Sequence, residues 1–248
     1  MKSASRREAV LWTALVWALS LACYLPMLLL RRGLPVPPAA VSLKYGFVLV
    51  PLGVSAAFAA RRGELRPWLT ASFSRPIGLP SLLLCALFGG AGLALSYVYG
   101  VWSGRADLWR SAYPTAASAA AGCVYLLITA LLEELAWRGF LLRAVSEAAG
   151  KRSALVYTGL AWAVWHIPMW SIRNALGWEE IAVYFLGTLL LSLLFGVYFL
   201  RYGNVLTVSL LHMLFNTCFL APMSWTIPLL GCLAAALAVW ERRAGTRG

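Results

Sequence analysis

The chain has 248 residues, of which 61% are apolar and only 12% charged, where a soluble domain carries about 25% charged residues. This composition excludes a water-soluble globule, and the apolar residues gather in runs of about 17 to 22, the length a helix needs to cross ~30 Å of hydrocarbon. The net charge of +12 does not mark a nucleic-acid binder, because the basic residues sit in pairs at the ends of apolar runs rather than along one polar face.

Taken in chain order, the runs predict helices over 9–30, 41–60, 79–100, 115–137, 154–171, 180–200, 204–221 and 225–240, separated by short stretches rich in Arg, Gly and Pro. The expected fold is all-α, a single transmembrane domain over 1–248 built as a polytopic bundle of about eight helices. The first run follows Lys2, Arg6 and Arg7 in the manner of a signal peptide. It lacks a small-residue cleavage site before Arg31, so an uncleaved first helix is expected. With the N-terminus in the cytoplasm, Arg31, Arg32, Lys44, Arg105, Arg110 and Arg173 fall on the outer side and the other fifteen basic residues inside. That bias places both termini in the cytoplasm and favours an even number of crossings. Arginine far outnumbers lysine, a composition that hints at a bacterial source and hence at a bacterial cytoplasmic (inner) membrane. All five cysteines lie inside apolar runs without paired spacing and read as packing residues.

Charged groups inside apolar spans cost roughly 3 kcal/mol or more at a helix centre, so each calls for a reason. Glu133 and Glu134 end the run Gly122–Leu132, and Arg138 follows within Leu-Ala-Trp-Arg-Gly-Phe. Glu134 and Arg138 are four apart and face each other, with the acid nearer the N-terminus, the favourable order. Glu133 points about 100° away from that pair and is the acid left free for chemistry. The chain's two histidines, His166 and His212, lie in other apolar runs, and Asn216 follows His212 by one helical turn. A turn at Ala149-Gly150-Lys151-Arg152 predicts a helical hairpin. Folding there puts Glu133 and His166 at one level, ~25 Å from the turn. His212, nine residues past Gly203, lies ~13 Å along its own helix, at a similar depth. Taken singly, each group has a plainer reading: an ion pair holding helices together, a histidine hydrogen-bonded between helices, and Trp162, Trp165 and Trp170 as packing or an interfacial belt. Together, a free acid, two histidines and an amide at matched depth favour a reaction site.

The pattern Glu133-Glu134-x-x-x-Arg138, an aromatic residue four before His166, and His212-x-x-x-Asn216 resembles the three motifs of the CAAX protease and bacteriocin-processing (CPBP, or Abi) family of intramembrane endopeptidases. The resemblance spans about residues 120–220, within a catalytic motif region of about 115–221; Trp162 stands where that family often has Phe. It implies an eight-helix endopeptidase opening toward the cytoplasm. Glu133 would be the catalytic base, His166 its partner on the attacking water, Glu134 and Arg138 a supporting pair, and His212 with Asn216 the oxyanion-stabilising group. Its partners would be the lipid bilayer and a membrane-anchored polypeptide substrate, not nucleic acid.

Peptide hydrolysis needs a base for the water and donors where negative charge develops, which these residues supply without a cofactor. Zinc is the alternative, with Glu133, His166 and His212 as ligands and an open position for water. That set consumes the base and leaves Glu134 to replace it while paired to Arg138, so the metal-free, glutamate-type reading is preferred. A proton-coupled carrier predicts broken helices and inverted repeats, which the sequence lacks. A non-catalytic immunity or scaffold protein that keeps the same core is the remaining alternative.

Overall fold

Apolar runs of this length have one way to satisfy their backbone groups in lipid, and the computed structural model, which describes residues 5–104 and 114–217, is helical throughout with no strand among those residues. In chain order the helices are α1 (Arg6–Arg31), α2 (Pro38–Arg61, with a 3₁₀ stretch over Ser42–Val48), α3 (Leu65–Phe73), α4 (Leu79–Trp102), α5 (Ala116–Ala149), α6 (Lys151–Pro168), α7 (Trp178–Tyr202) and α8 (Val205–Asn216). Five of them, α1, α2, α4, α5 and α7, are long and apolar enough to cross a membrane. The expected span over 154–171 is helical, but Lys151, Arg152, His166 and its tryptophans lower its hydropathy. The span expected over 204–221 is a 12-residue helix within the described residues. The helix expected over 225–240, and the part of 204–221 beyond 217, lie outside them, as do Cys218 and Cys232. A helical membrane bundle stands, with five crossings supported by length and apolarity. Of the cysteines, Cys85 is buried and Cys23 partly so, whereas Cys123 is exposed on α5 rather than packed.

Local chemistry sets the boundaries. Ser5 and Glu8 form a capping box at the start of α1, satisfying two of the orphan N–H groups of the first turn. The hairpin between α5 and α6 turns on the single residue Gly150, at φ +83°, a conformation that a side chain would oppose. Asn204 caps α8 by accepting from the Leu206 N–H at 2.9 Å, and its own amide donates to the Arg75 carbonyl at 2.7 Å. One residue, Asn204, thereby joins the start of α8 to the segment before α4.

The short helix α3 has no counterpart in the apolar runs, because its nine residues bury only one face. Trp68 and Ser72, four apart, are buried there and pack against α5 where that helix widens into a π turn over Trp137–Leu142. Trp68 meets Phe140 edge to face at 5.9 Å. A Cβ at Gly139 would approach the Ser72 Oγ to 2.8 Å and Val205 Cγ2 to 3.4 Å, so the absent side chain is what lets α3 close onto α5.

On the other flank α1 is stitched to α6 by polar contacts spaced along one face. The Tyr157 hydroxyl donates to Thr13 Oγ1 at 3.0 Å, Trp17 Nε1 to the Ala161 carbonyl at 3.0 Å, and Trp165 Nε1 to Ser20 Oγ at 2.8 Å. Hydrogen bonds between membrane helices contribute about 0.6–2 kcal/mol each, so three of them fix α1 against the helix that carries His166. Gly139→Ala is expected to lower stability by about 1–3 kcal/mol through overpacking, read as a drop in Tm of the purified protein. Adding Ser72→Ala, which removes the clashing oxygen, is expected to recover part of the loss; a Gly139→Ala variant that melts with the wild type contradicts this account of the α3–α5 contact.

Candidate active site

Glu133 and Glu134 are adjacent on α5 and therefore point in directions about 100° apart, and the bundle gives each a different environment. Glu134 is fully buried, where an uncompensated carboxylate would be costly by several kcal/mol. Its Oε1 accepts from Arg138 Nη1 and from His212 Nδ1, each at 2.9 Å. Arg138, equally buried, donates through Nη2 to the Ser192 hydroxyl at 2.9 Å and more weakly to the Ser192 carbonyl at 3.4 Å. Its guanidinium lies over the rings of Trp162 and Phe195, at 4.7 and 5.3 Å from their centroids, a favourable placement for a cation. This network ties α5, α7 and α8 together.

Glu133 takes no part in that ion pair. Its Oε2 accepts a hydrogen bond from Trp162 Nε1 at 3.0 Å, and the residue retains 7% of its surface exposed. Trp162 is thus the hub. Its indole N–H goes to Glu133, its face receives Arg138, and its edge meets the ring of His212 at 5.4 Å. Its backbone carbonyl, one turn along α6, lies 2.8 Å from His166 Nδ1. A carbonyl oxygen can only accept, so Nδ1 of His166 carries the proton and Nε2 is left as the nitrogen with a free lone pair. The imidazole is boxed by Trp162 and Trp165, both edge-on at 4.8 Å, and by Trp170 stacked at 5.4 Å.

The structure therefore gathers five of the six residues singled out in the sequence, Glu133, Glu134, Arg138, His166 and His212, around one tryptophan. Asn216 is not drawn into that set: it ends α8 with an exposed side chain, one turn beyond His212. The three tryptophans around His166 are interior residues, 1–3% exposed, and not an interfacial belt. Sequence reasoning missed two participants. Ser192 carried no signal beyond being a hydroxyl in an apolar run, and Trp162 was noticed as an aromatic position but not as a donor, although an indole offers an N–H that Phe lacks.

Among the described residues no three His, Cys, Asp or Glu side chains are placed to hold one ion; His212 donates Nδ1–H to Glu134 and keeps Nε2 free, and one oxygen of Glu133 is engaged by an N–H.

Removing Arg138 should leave Glu134 buried against a single partner, so Arg138→Leu is expected to cost about 3–5 kcal/mol, seen as a large fall in Tm. Glu133→Gln, which keeps the acceptor for Trp162, is expected to melt close to the wild type; equal Tm values for the wild type and Arg138→Leu would contradict the network. A comparison with curated proteins finds no match to the chain. Residues 115–218 do match the family model described as type II CAAX prenyl endopeptidase Rce1-like, a region that runs from the start of α5 to just past α8 and contains every residue of the cluster. Over that region the chain is similar to Rce1-like domains, which is consistent with the CAAX protease and bacteriocin-processing family.

Proposed function

We propose that the protein is an intramembrane endopeptidase that hydrolyses a peptide bond of a membrane-associated protein or peptide, with Glu133 and His166 activating the attacking water. The observation that carries this reading is the division of labour between neighbouring carboxylates. Glu134 is neutralised by Arg138 and His212, while Glu133 is oriented by a single N–H from Trp162 and keeps its other oxygen for a water. The Rce1-like match implies a CAAX-type endopeptidase and supplies the class of bond.

In the proposed reaction a water held between Glu133 Oε1 and His166 Nε2 adds to the scissile carbonyl carbon as Glu133 takes its proton. The carbonyl oxygen becomes an oxyanion, met by His212 and Asn216. His212 is held through Nδ1 by the Glu134 carboxylate, so in its imidazolium form Nε2–H faces the substrate side as a donor, and Asn216 adds an amide N–H from the next turn of α8. Collapse of the tetrahedral intermediate breaks the C–N bond, and the proton held by Glu133 passes to the leaving amine. No step needs a metal. The substrate is a polypeptide anchored in or inserting into the bilayer, met near the cytoplasmic face of a bacterial inner membrane, with both termini of the enzyme on that side.

Comparing the termini of membrane proteins between a deletion strain and its parent supplies the cleaved substrate without a prior guess. On that substrate Glu133→Gln is expected to lower kcat by at least about 100-fold with Tm preserved, and a fully active Gln variant ends the proposal. Trp162→Phe keeps the ring and loses only the N–H to Glu133; it is expected to lower kcat about tenfold, the equivalent of roughly 1.4 kcal/mol, with KM little changed. Activity is expected to survive exhaustive chelation. Loss of activity on chelation, restored by Zn²⁺, would reverse the metal-free assignment.

A further inference from the structure

The start of α1 and the α5–α6 hairpin enclose a groove of about 650 Å³. Its trough is apolar, formed by Val10, Val145, Val156 and Leu160, and Ala9 and Ala148 give it width. Its mouth carries Arg6 and Arg152, at the level of the Gly150 turn, where Lys151 and Arg152 mark the membrane surface. These arginines stand in unusual positions. Arg6 is the first residue of α1 and Arg152 the second of α6, and the partial positive charge of a helix N-terminus opposes a cation there. No described carboxylate relieves either of them: Glu8 is paired with Arg62 at 2.7 Å, and Glu147 opens onto a different cavity, beside Arg143. Two cations and two positive helix ends thus converge on one apolar trough without an anion.

We propose that this groove is a binding site for an anionic phospholipid, with the phosphate between Arg6 and Arg152 and an acyl chain along Val10, Val145, Val156 and Leu160. The floor selects this occupant over a peptide. A peptide lying in the trough would need partners for its N–H and C=O groups along its whole length, and the groove offers two hydroxyls: that of Tyr157 is already bonded to Thr13 Oγ1 and the Ala9 carbonyl, and that of Ser153 follows Arg152 in the first turn of α6, too few for a peptide backbone. An acyl chain needs no such partner. The mouth selects net negative charge, since a zwitterionic headgroup would bring a cation to two arginines with no carboxylate to receive it. A lipid seated there touches α1, α5 and α6 together and so reinforces the contacts by which α1 holds the His166 helix. The proposal is independent of the catalytic reading.

The test uses the full chain, purified in detergent and titrated with phosphatidylglycerol or phosphatidylcholine of the same acyl composition, read by native mass spectrometry and by Tm. One phosphatidylglycerol is expected to be retained in preference to phosphatidylcholine and to raise Tm. Arg6→Ala with Arg152→Ala is expected to weaken its binding by about 30-fold and to remove the rise in Tm, while Arg32→Ala, at the opposite end of α1, leaves both unchanged. Val156→Trp, which fills the trough at an exposed position and leaves the charges in place, is expected to weaken binding as well and separates a built groove from mere attraction to a basic surface. Equal retention of the two lipids overturns the proposal, as does undiminished binding by the double variant or by Val156→Trp, or displacement of the lipid by millimolar inorganic phosphate. Failure to retain any lipid, the outcome if the chain's own residues 218–248 occupy the groove, overturns it too.

Discussion

One carboxylate oxygen, Oε1 of Glu134, holds the centre of this bundle together. It accepts from Arg138 one turn along its own helix and from His212 across the interface with α8. A charge so deeply placed can be kept only if its partners are geometrically committed, and here each partner is committed further. Arg138 reaches α7 through Ser192 and lies on the ring of Trp162 from α6; His212 packs against the rings of Trp162 and Phe195. The network therefore fixes how three helices, α6, α7 and α8, sit around α5. In a bilayer, where lipid tails are as apolar as the helices they surround and hydrophobic burial alone does little to choose a helix's partners, such directional contacts are what select one packing over others.

Trp162 then turns a structural network into a differentiated site. Its indole presents a π face to the Arg138 cation and an N–H to the Glu133 carboxylate. Glu134 is paired with that same Arg138. Glu133 lies at the N–H and receives a hydrogen bond without a full countercharge. Two acids of identical chemistry, adjacent in sequence, are thereby given separate surroundings, the arrangement that the proposed division between a structural charge and a working base requires. His166 is bound to the same residue through the backbone, so the Glu133 carboxylate and the imidazole share one mounting. That placement suits water activation, where a displacement of an ångström is costly.

Much of this was readable in the sequence because it follows from helical periodicity. The four-residue spacing of Glu134 and Arg138 gave their pairing, and the 100° offset of Glu133 gave its separation from them. The symmetry of 133 and 166 about Gly150 brought α5 and α6 to a common level, and one indole now spans them. What escaped was set by contacts between helices, which periodicity does not encode. The α3 helix is too short to register as an apolar run, and its seat depends on a missing Cβ at Gly139 and on the π turn beneath it. Ser192 belongs to a helix whose rotation about its axis only the packed bundle reveals. Asn216 shares the face of His212 by spacing, yet it lies at the end of α8, where a common face no longer guarantees a common neighbourhood.

The first helix shows how a segment outside the matched region still bears on the site. Nothing in α1 touches Glu133 or His166 through a hydrogen bond, but Thr13, Trp17 and Ser20 bond to Tyr157, Ala161 and Trp165 along α6, and Trp12 packs on Trp137 at 5.1 Å. Trp165 is also one wall of the box around His166. A shift of α1 would therefore move the wall of that box before it moved the histidine, while α7 and α8 hold the opposite side through Arg138 and Glu134. The imidazole sits between a polar clamp on one flank and an aromatic one on the other. The aromatic flank is the softer of the two, since each of its hydrogen bonds is between neutral groups and weaker than the charge-assisted bonds facing it. On the proposed endopeptidase reading, a substrate chain would therefore be admitted on the side of α1, away from the ion pair between Glu134 and Arg138.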